Sequence, residues 1–305
     1  MISVVIPLYN KEALVGRTLE SVLAQRYRDF EVVVVDDGSR DGSAAVVESF
    51  DDPRIRLIRQ ENAGVSAARN RGIAEARGEF VALLDGDDIW RENYLQTQFE
   101  LTQKYPQCDV FATDYCFSNS KGVEKATIIR KLPFDGEDGI LTNYFEVASC
   151  SHPPLCSSTV MVRKGAIESV GGFPVGIKSG EDLITWARLA AKYQIAYSRF
   201  VGAVFVFDEV LNNEDQAIRF PEIIDYIGIE LKKLSSHNII GLNAYISLWH
   251  KMRCRIFLNK HCRKFAIKEA LISLKYKPSI KTFIFLTMAL LPNRLSDYIF
   301  KKYVS

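Results

Sequence analysis

The strongest constraint on this chain is a rhythm in its first 120 residues. Short β-branched and apolar runs alternate there with segments of helical spacing. Ile2–Pro7, Phe30–Val35, Ile55–Arg59, Phe80–Leu84 and Asp109–Tyr115 predict strands. Leu14–Gln25, Ser43–Phe50, Val65–Arg77 and Asn93–Lys104 predict helices, the first through Leu14, Thr18, Leu19, Val22 and Leu23. Asp41 or Ser43 is placed to cap the second helix and Gly78 to end the third. Strands and helices alternating at these lengths imply an α/β, Rossmann-like architecture: a mostly parallel central sheet with helices on both faces. Near-continuous runs such as Val32–Val35 fit strands covered on both sides.

The rest of the chain is less regular. Residues 118–160 are polar, with Asp135-Gly136-Glu137-Asp138-Gly139 and the turn-like His152-Pro153-Pro154. Ser158–Val162 predicts a strand, Asp182–Lys192 a helix and Ile195–Phe207 short strands. From about 212 the pattern is helical only, so a boundary is expected near Asn212-Asn213. That gives a domain over 1–211, in halves of about 1–117 and 118–211, followed by an all-helical region over 212–305.

Charge sharpens this division. The net charge of +2 hides 26 Lys/Arg against 35 Asp/Glu in residues 1–250, a sum of −9. Residues 251–305 carry 13 Lys/Arg against 2 Asp/Glu, a sum of +11. With 48% hydrophobic and 25% charged residues, a disordered chain and a coiled coil are excluded. Six cysteines without a C-x-x-C, and four scattered histidines, argue against zinc ribbons, redox motifs and a disulfide scaffold. Met1–Pro7 has no basic n-region and reads as a strand, not a signal peptide. The most apolar stretch, Phe283–Leu291, is too short to span a bilayer. A cytoplasmic protein is therefore expected.

In open α/β sheets, ligands bind beyond the carboxyl ends of the strands. Those ends carry Pro7-Leu8-Tyr9-Asn10, Asp36-Asp37-Gly38-Ser39, Glu61-Asn62-Ala63-Gly64 leading to Arg69, and Asp85-Gly86-Asp87-Asp88. Carboxylates packed at the end of an apolar strand need a cation, and hard oxygen ligands select Mg²⁺ or Mn²⁺. Asp88 reads instead as the cap of the following helix. Asp37 sits either in a plain turn or as acceptor for the imide N–H of a uracil-like base. Pro7 and Tyr9 are placed to meet the same nucleotide, and Arg69 to meet a diphosphate oxygen or form a surface salt bridge.

The segments Ile-Pro-Leu-Tyr-Asn (6–10), Val-Asp-Asp-Gly-Ser-Arg-Asp-Gly-Ser (35–43), Asn-Ala-Gly-Val-Ser-Ala-Ala-Arg-Asn-Arg-Gly-Ile (62–73) and Gly-Glu-Phe-Val-Ala-Leu-Leu-Asp-Gly-Asp-Asp (78–88) resemble family 2 glycosyltransferases of the GT-A fold in order and spacing. The resemblance covers residues 1 to about 115. It resumes at Ser157–Val162, Val170-Gly171-Gly172-Phe173 and Gly180-Glu181-Asp182-Leu183. It implies a nucleotide-diphospho-sugar donor, a divalent metal and inversion at the anomeric carbon. By position, Asp37 is similar to the family's uracil-binding aspartate, Asp87 to the metal ligand of its D-x-D motif with Asp85 as partner, and Asp182 to its general base, with Glu181 as a possible substitute. Asn10, Asn62 and Gly64 fall in the matched segments and join Pro7, Tyr9, Asp37, Arg69 and Asp85 as donor-binding candidates. An inverting displacement needs a carboxylate to take the acceptor's proton and a Lewis acid for the leaving diphosphate. The alternative for Asp182 is a plain helix N-cap.

His152, in a Pro-rich loop, and Trp186, one helical turn after Asp182, are weaker candidates for touching the acceptor; a loop role and core packing compete with these. A Rossmann oxidoreductase is excluded because no G-x-G-x-x-G follows the first strand. A sugar nucleotidyltransferase lacks its Gly-rich first loop here. An aspartyl phosphatase would carry its motif after the first strand. A non-catalytic nucleotide-sugar binding module is the remaining alternative; metal-dependent release of UDP from a UDP-sugar discriminates. In the tail, Leu248, Trp249, Met252, Ile256 and Phe257, then Ile280, Phe283, Ile284, Thr287, Met288 and Leu291, recur at helical spacing. Lys275, Lys277, Lys281, Arg294, Lys301 and Lys302 flank the second run. This suits a helix lying on an anionic membrane surface, with packing on the domain or in a homo-oligomer as the other reading; no nucleic-acid partner is expected, since the body lacks a basic groove. A lipid-linked glycan acceptor at the cytoplasmic face of the membrane would fit such a tail.

Overall fold

The computed structural model describes residues 1–119, 121–177, 179–207, 222–234, 239–292 and 295. Among these, ten strands form one sheet: β1 (Ile2–Leu8), β2 (Phe30–Asp36), β3 (Ile55–Arg59), β4 (Phe80–Leu83), β5 (Ile89–Trp90), β6 (Val110–Asn119), β7 (Glu124–Ala126), β8 (Asp138–Ile140), β9 (Val160–Arg163) and β10 (Ile195–Phe207). Their order is β3-β2-β1-β4-β9-β6-β10-β5, with β7 on β6 and β8 on β10. β1, β2, β3, β4, β6 and β10 share one direction, and β9 runs against them between β4 and β6. The sheet is thus mostly parallel, and the ends of β1, β2, β3 and β4 open on one edge.

Side-chain alternation divides each central strand between two cores. Val5, Val33, Val35, Val81 and Leu83 face one side, against Ala68 and Ile73 of α3 (Val65–Glu75) and Trp186 of α7 (Glu181–Lys192). Val4, Ile6, Val32, Val34 and Ala82 face the other, against α1 (Val15–Leu23) and α4 (Tyr94–Lys104). α1 has no side-chain cap, but it buries Val15, Thr18, Leu19 and Val22 at helical spacing. Each buried Val or Leu contributes about 1.5–3 kcal/mol by leaving water, which exceeds what a cap supplies. α2 (Ser43–Glu48), α5 (Tyr144–Cys150) and α6 (Lys164–Ser169) complete the domain.

The structure departs from the sequence-based expectation in several places; the N-cap of α2 is Gly42, not Asp41 or Ser43. α3 ends at Glu75, and Gly78 is no cap: its N–H donates to Ser3 Oγ at 2.8 Å, tying the chain to β1. The short strands expected over Ile195–Phe207 are one strand, with its register on β6 shifted between Ser198 and Val201 and again before Ala203. The irregular middle holds the end of β6, then β7, β8 and α5.

Beyond β10 the described residues form helices α8 (Tyr226–Leu234), α9 (Leu242–Asn259), α10 (Arg263–Tyr276) and α11 (Ile280–Leu290). The boundary expected near Asn212-Asn213 lies outside the described residues. Ile227 and Leu231 of α8 and Leu242, Tyr245, Ile246 and Trp249 of α9 share the core of Tyr144, Phe145 and Trp186. Only the second half of α9 turns away, where Cys254 and Phe257 pack with Ala266, Phe285 and Met288. Asp225, just before α8, and His250, Arg253 and Glu269 link the start of α8 to α9 and α10: His250 Nδ1 lies 2.5 Å from Glu269, and Arg253 Nε lies 2.9 Å from Glu269 and 3.7 Å from Asp225. Asp225, His250 and Glu269 have the spacing of a metal cluster, but the Arg253 guanidinium already supplies the positive charge there.

Candidate active site

The loops at the strand ends are laced together by backbone bonds to side chains. Asp37 follows β2 and is buried, and its carboxylate accepts from Gln60 Nε2 at 2.7 Å, Ala63 N–H at 2.9 Å and Gly64 N–H at 2.8 Å. Asn62 Nδ2 donates to the Asp37 carbonyl at 2.9 Å. The loop after β3 is therefore wrapped around Asp37. Gly64 stands at φ 90° at the start of α3 with open space around a would-be Cβ, so the backbone, not room, requires glycine. Asn10 also adopts a left-handed φ of 50°; its N–H donates to Ser39 Oγ and its side-chain carbonyl accepts from Arg40 N–H. Pro7 is half-buried, and Tyr9 is exposed.

The carboxylates gather around Arg69, which is only 5% exposed. Its Nη2 lies 2.7 Å from Asp85 Oδ1 and its Nη1 lies 3.8 Å from Glu181. Burial alone would favour a neutral guanidine, but Asp85, Asp182 and Glu181 hold Arg69 above its ordinary value. Asp87 Oδ2 lies 2.8 Å from Lys11 Nζ, and its carbonyl accepts from Arg17 Nη2. Sequence reasoning did not single out Lys11.

Asp88 differs from expectation. The following helix is preceded by Asn93, and Asp88 is buried, accepting from Ser158 Oγ at 2.5 Å. Burial first, then Asp87 and Asp85, push its carboxyl well above the usual carboxylate range.

Asp182 enters from α7. Gly180 caps this helix at φ 88°, and a Cβ there would lie 2.7 Å from the Trp249 ring. Asp182 is thus not the N-cap but the second residue of the helix, and its Oδ1 accepts from Leu183 N–H at 2.7 Å. Burial pushes its carboxyl up, Arg69 and the Leu183 N–H pull it back, and Asp85 pushes it up again. Asp182, Asp85 and Arg69 therefore share one electrostatic environment. Cys156 belongs to it too, since burial, Asp182, Asp88 and Asp85 raise its thiol. No sequence pattern pointed to Cys156.

The two acceptor candidates fare differently. Trp186 is fully buried, edge-to-face with Phe173 at 5.6 Å between ring centroids. It offers no face to a sugar, so the core-packing reading replaces the acceptor one. His152 Nδ1 accepts from Ile128 N–H at 2.9 Å, its backbone N–H donates to the Ile128 carbonyl and its ring lies 5.7 Å from that of Phe117. Neither partner belongs to the carboxylate cluster. Asp85 and Asp87 fit a divalent cation: both are hard oxygen donors, two residues apart and 30% and 27% exposed.

A mostly parallel sheet with carboxylates converging at its strand ends defines a protein of the GT-A fold, and solved structures agree. S. aureus TarS 1-349 in complex with UDP-GlcNAc is similar with a TM-score of 0.70 at 17% identity, over 99% of this chain and 91% of that one. The model of the family described as "Glycosyl transferase family 2" matches residues 3–171, and the chain belongs to that family. Glycosyltransferase GlyA of Streptococcus pneumoniae is 32% identical over 186 residues, 59% of this chain and 27% of GlyA. The Escherichia coli UDP-Glc:alpha-D-GlcNAc-diphosphoundecaprenol beta-1,3-glucosyltransferase WfgD is 34% identical over 136 residues, 44% of this chain and 54% of WfgD. The matched segments thus span about a quarter to a half of these curated relatives.

Proposed function

We propose that this protein is an inverting, metal-dependent glycosyltransferase that moves a sugar from a nucleotide-diphospho-sugar, with UDP-sugars favoured, to a hydroxyl of a glycan or lipid-linked glycan in cell-surface polysaccharide synthesis. The observation that carries the reading is the convergence of Asp182, Asp85 and the buried Arg69 in one charged cluster. The donor's nucleotide would lie along Pro7, Tyr9, Asn10, Asp37, Asn62 and Gly64. Asp37 keeps one lone-pair position beyond its three protein donors. Arg69 would hold a diphosphate oxygen.

Asp87 and Asp85 would hold Mn²⁺ or Mg²⁺, which supplies Lewis-acid stabilisation of the leaving diphosphate when bound. The acceptor oxygen attacks the sugar's C1 opposite the departing diphosphate oxygen. Asp182 accepts the acceptor's proton, and the C1–O bond electrons leave with the diphosphate. Glu181 stands beside it as a substitute base. The raised carboxyl of Asp182 makes it a stronger base than an ordinary aspartate. Asp182→Asn should retain donor affinity by calorimetry and lose transfer by about 10²–10⁴-fold. Turnover like that of the unaltered protein would overturn the assignment.

The lipid-linked acceptor is supported by the name of WfgD and by the surface of α11. Ile280, Phe283 and Ile284 are exposed there, while Phe285 and Met288 face inward. Lys251, Lys277 and Lys281 stand together: burial first, then Lys281 and Lys277, hold the Lys251 ammonium below its ordinary value. Exposed apolar groups beside clustered ammoniums suit an interface with anionic lipid at the cytoplasmic face. Among the described residues no helix is long and apolar enough to cross a membrane. Arg294, Lys301 and Lys302 lie outside the described residues.

A further inference from the structure

We propose that Lys11 is a movable counter-charge: its ammonium holds Asp87 in the donor-free protein and passes to the donor's diphosphate when a divalent cation takes that carboxylate. Metal and donor binding would then reinforce each other. The inference rests on the reading of Asp85 and Asp87 as cation ligands and adds a residue that this reading leaves out.

The two carboxylates are compensated in different ways. Asp85 is paired with Arg69, a buried guanidinium fixed further by Glu181 and by the Phe173 ring 5.1 Å away. Asp87 is paired with Lys11, and that pair is 26% and 27% exposed. A lysine ammonium is a compact point charge on a flexible four-carbon stem, whereas a guanidinium in a bidentate or stacked site is rigid.

The backbone of Lys11 cannot move to release Asp87. Its N–H donates to Ser43 Oγ at 2.7 Å, and its carbonyl accepts from Leu14 and Val15 N–H, both at 2.9 Å. The preceding Asn10 is clamped to Ser39 and Arg40. Motion is therefore left to the side chain.

A divalent cation approaches a carboxylate oxygen to about 2.0–2.2 Å. An ammonium at 2.8 Å from that same oxygen would then face a doubly charged neighbour. It would then swing away, and the diphosphate arriving with the cation would offer its ammonium an anion in exchange. Before that, Lys11 offsets the negative charge of Asp87 and weakens the site for a cation alone.

The test is Mn²⁺ binding to the full chain, followed by electron paramagnetic resonance of free Mn²⁺, with and without UDP and in parallel GDP. Lys11→Met should bind Mn²⁺ alone roughly two- to fivefold tighter than the unaltered protein, the scale of a lost exposed pair. The strengthening of Mn²⁺ binding by nucleoside diphosphate should shrink by at least that factor. Lys11→Arg keeps the charge and should leave the affinity for Mn²⁺ alone unchanged, and Lys11→Gln gives the same readout as Lys11→Met if the Met variant does not fold. Mn²⁺ affinity of Lys11→Met equal to or weaker than that of the unaltered protein overturns the proposal. Asp87→Asn separates the two ideas. If it weakens Mn²⁺ binding while Lys11→Met changes nothing, Lys11 alone is wrongly assigned. If it has no effect, the cation lies elsewhere and both readings fall.

Discussion

Asp182 shows how a single side chain is shaped by residues far away in the chain. A general base works only when ionised, and burial holds this carboxyl above its ordinary value while Arg69 opposes that shift. The acid limb of kcat should therefore lie above the ordinary aspartate value. Removing the opposing charge must move it further the same way, so Arg69→Gln should shift the limb to higher pH at saturating donor. A pH–rate profile with an unmoved limb would show that Arg69 does not reach Asp182. At this scale the sequence was partly legible. Asp85 and Asp87 announce themselves because paired carboxylates after an apolar strand have few structural uses. Lys11 does not, because a lone lysine in a loop has no pattern and its partner lies 76 positions on. Asp88 misleads because capping is the common fate of an aspartate before a helix, and only the packing of Ser158 against it shows otherwise.

At the scale of the element, α7 is aimed by its N-cap. Gly180 adopts a left-handed conformation, and a Cβ there would run into the Trp249 ring. Gly180→Ala brings both backbone strain of about 1–2 kcal/mol and a clash. Its melting temperature should fall, and transfer should fall with it as Asp182 is displaced. Trp249→Phe removes the two ring atoms that clash, at the cost of the indole N–H donated to Asp225, so Gly180→Ala should cost less in that background than in the unaltered protein, with the strain remaining. An unchanged melting temperature for Gly180→Ala would show that this cap does not set the helix. Long apolar strands were readable because five or six residues suffice for a pattern. β5, β7 and β8, of two or three residues, are defined by their neighbours and carry none. β10 was readable in position but not in continuity, since its bulges break the alternation that marks a strand.

For the whole molecule, the charge division seen in the sequence does not coincide with a division in packing. The basic segment begins near Lys251, on a helix whose first half lies in the core of the domain. Its outermost element, α11, presents the exposed apolar groups. Replacing Ile280, Phe283 and Ile284 together by serine should lower co-sedimentation with anionic vesicles by roughly tenfold or more, from the lost apolar burial. Transfer to a soluble acceptor should be unaffected. Vesicle binding equal to that of the unaltered protein would remove the membrane role of this surface. The helical character of the tail was legible from its periodicity. Its seat was not, because Trp249 reads the same whether it packs on the domain or on lipid.

The shared core around Trp186, Tyr144 and Trp249 sets what can be transplanted. A graft of the acceptor half from a relative, cut where the strands stop, would bring half of an interdigitated core and leave the other half behind. Any exchange intended to move acceptor preference between members of this family should carry the chain through at least Trp249. The unit of exchange is set by packing, not by the segment that matches the family.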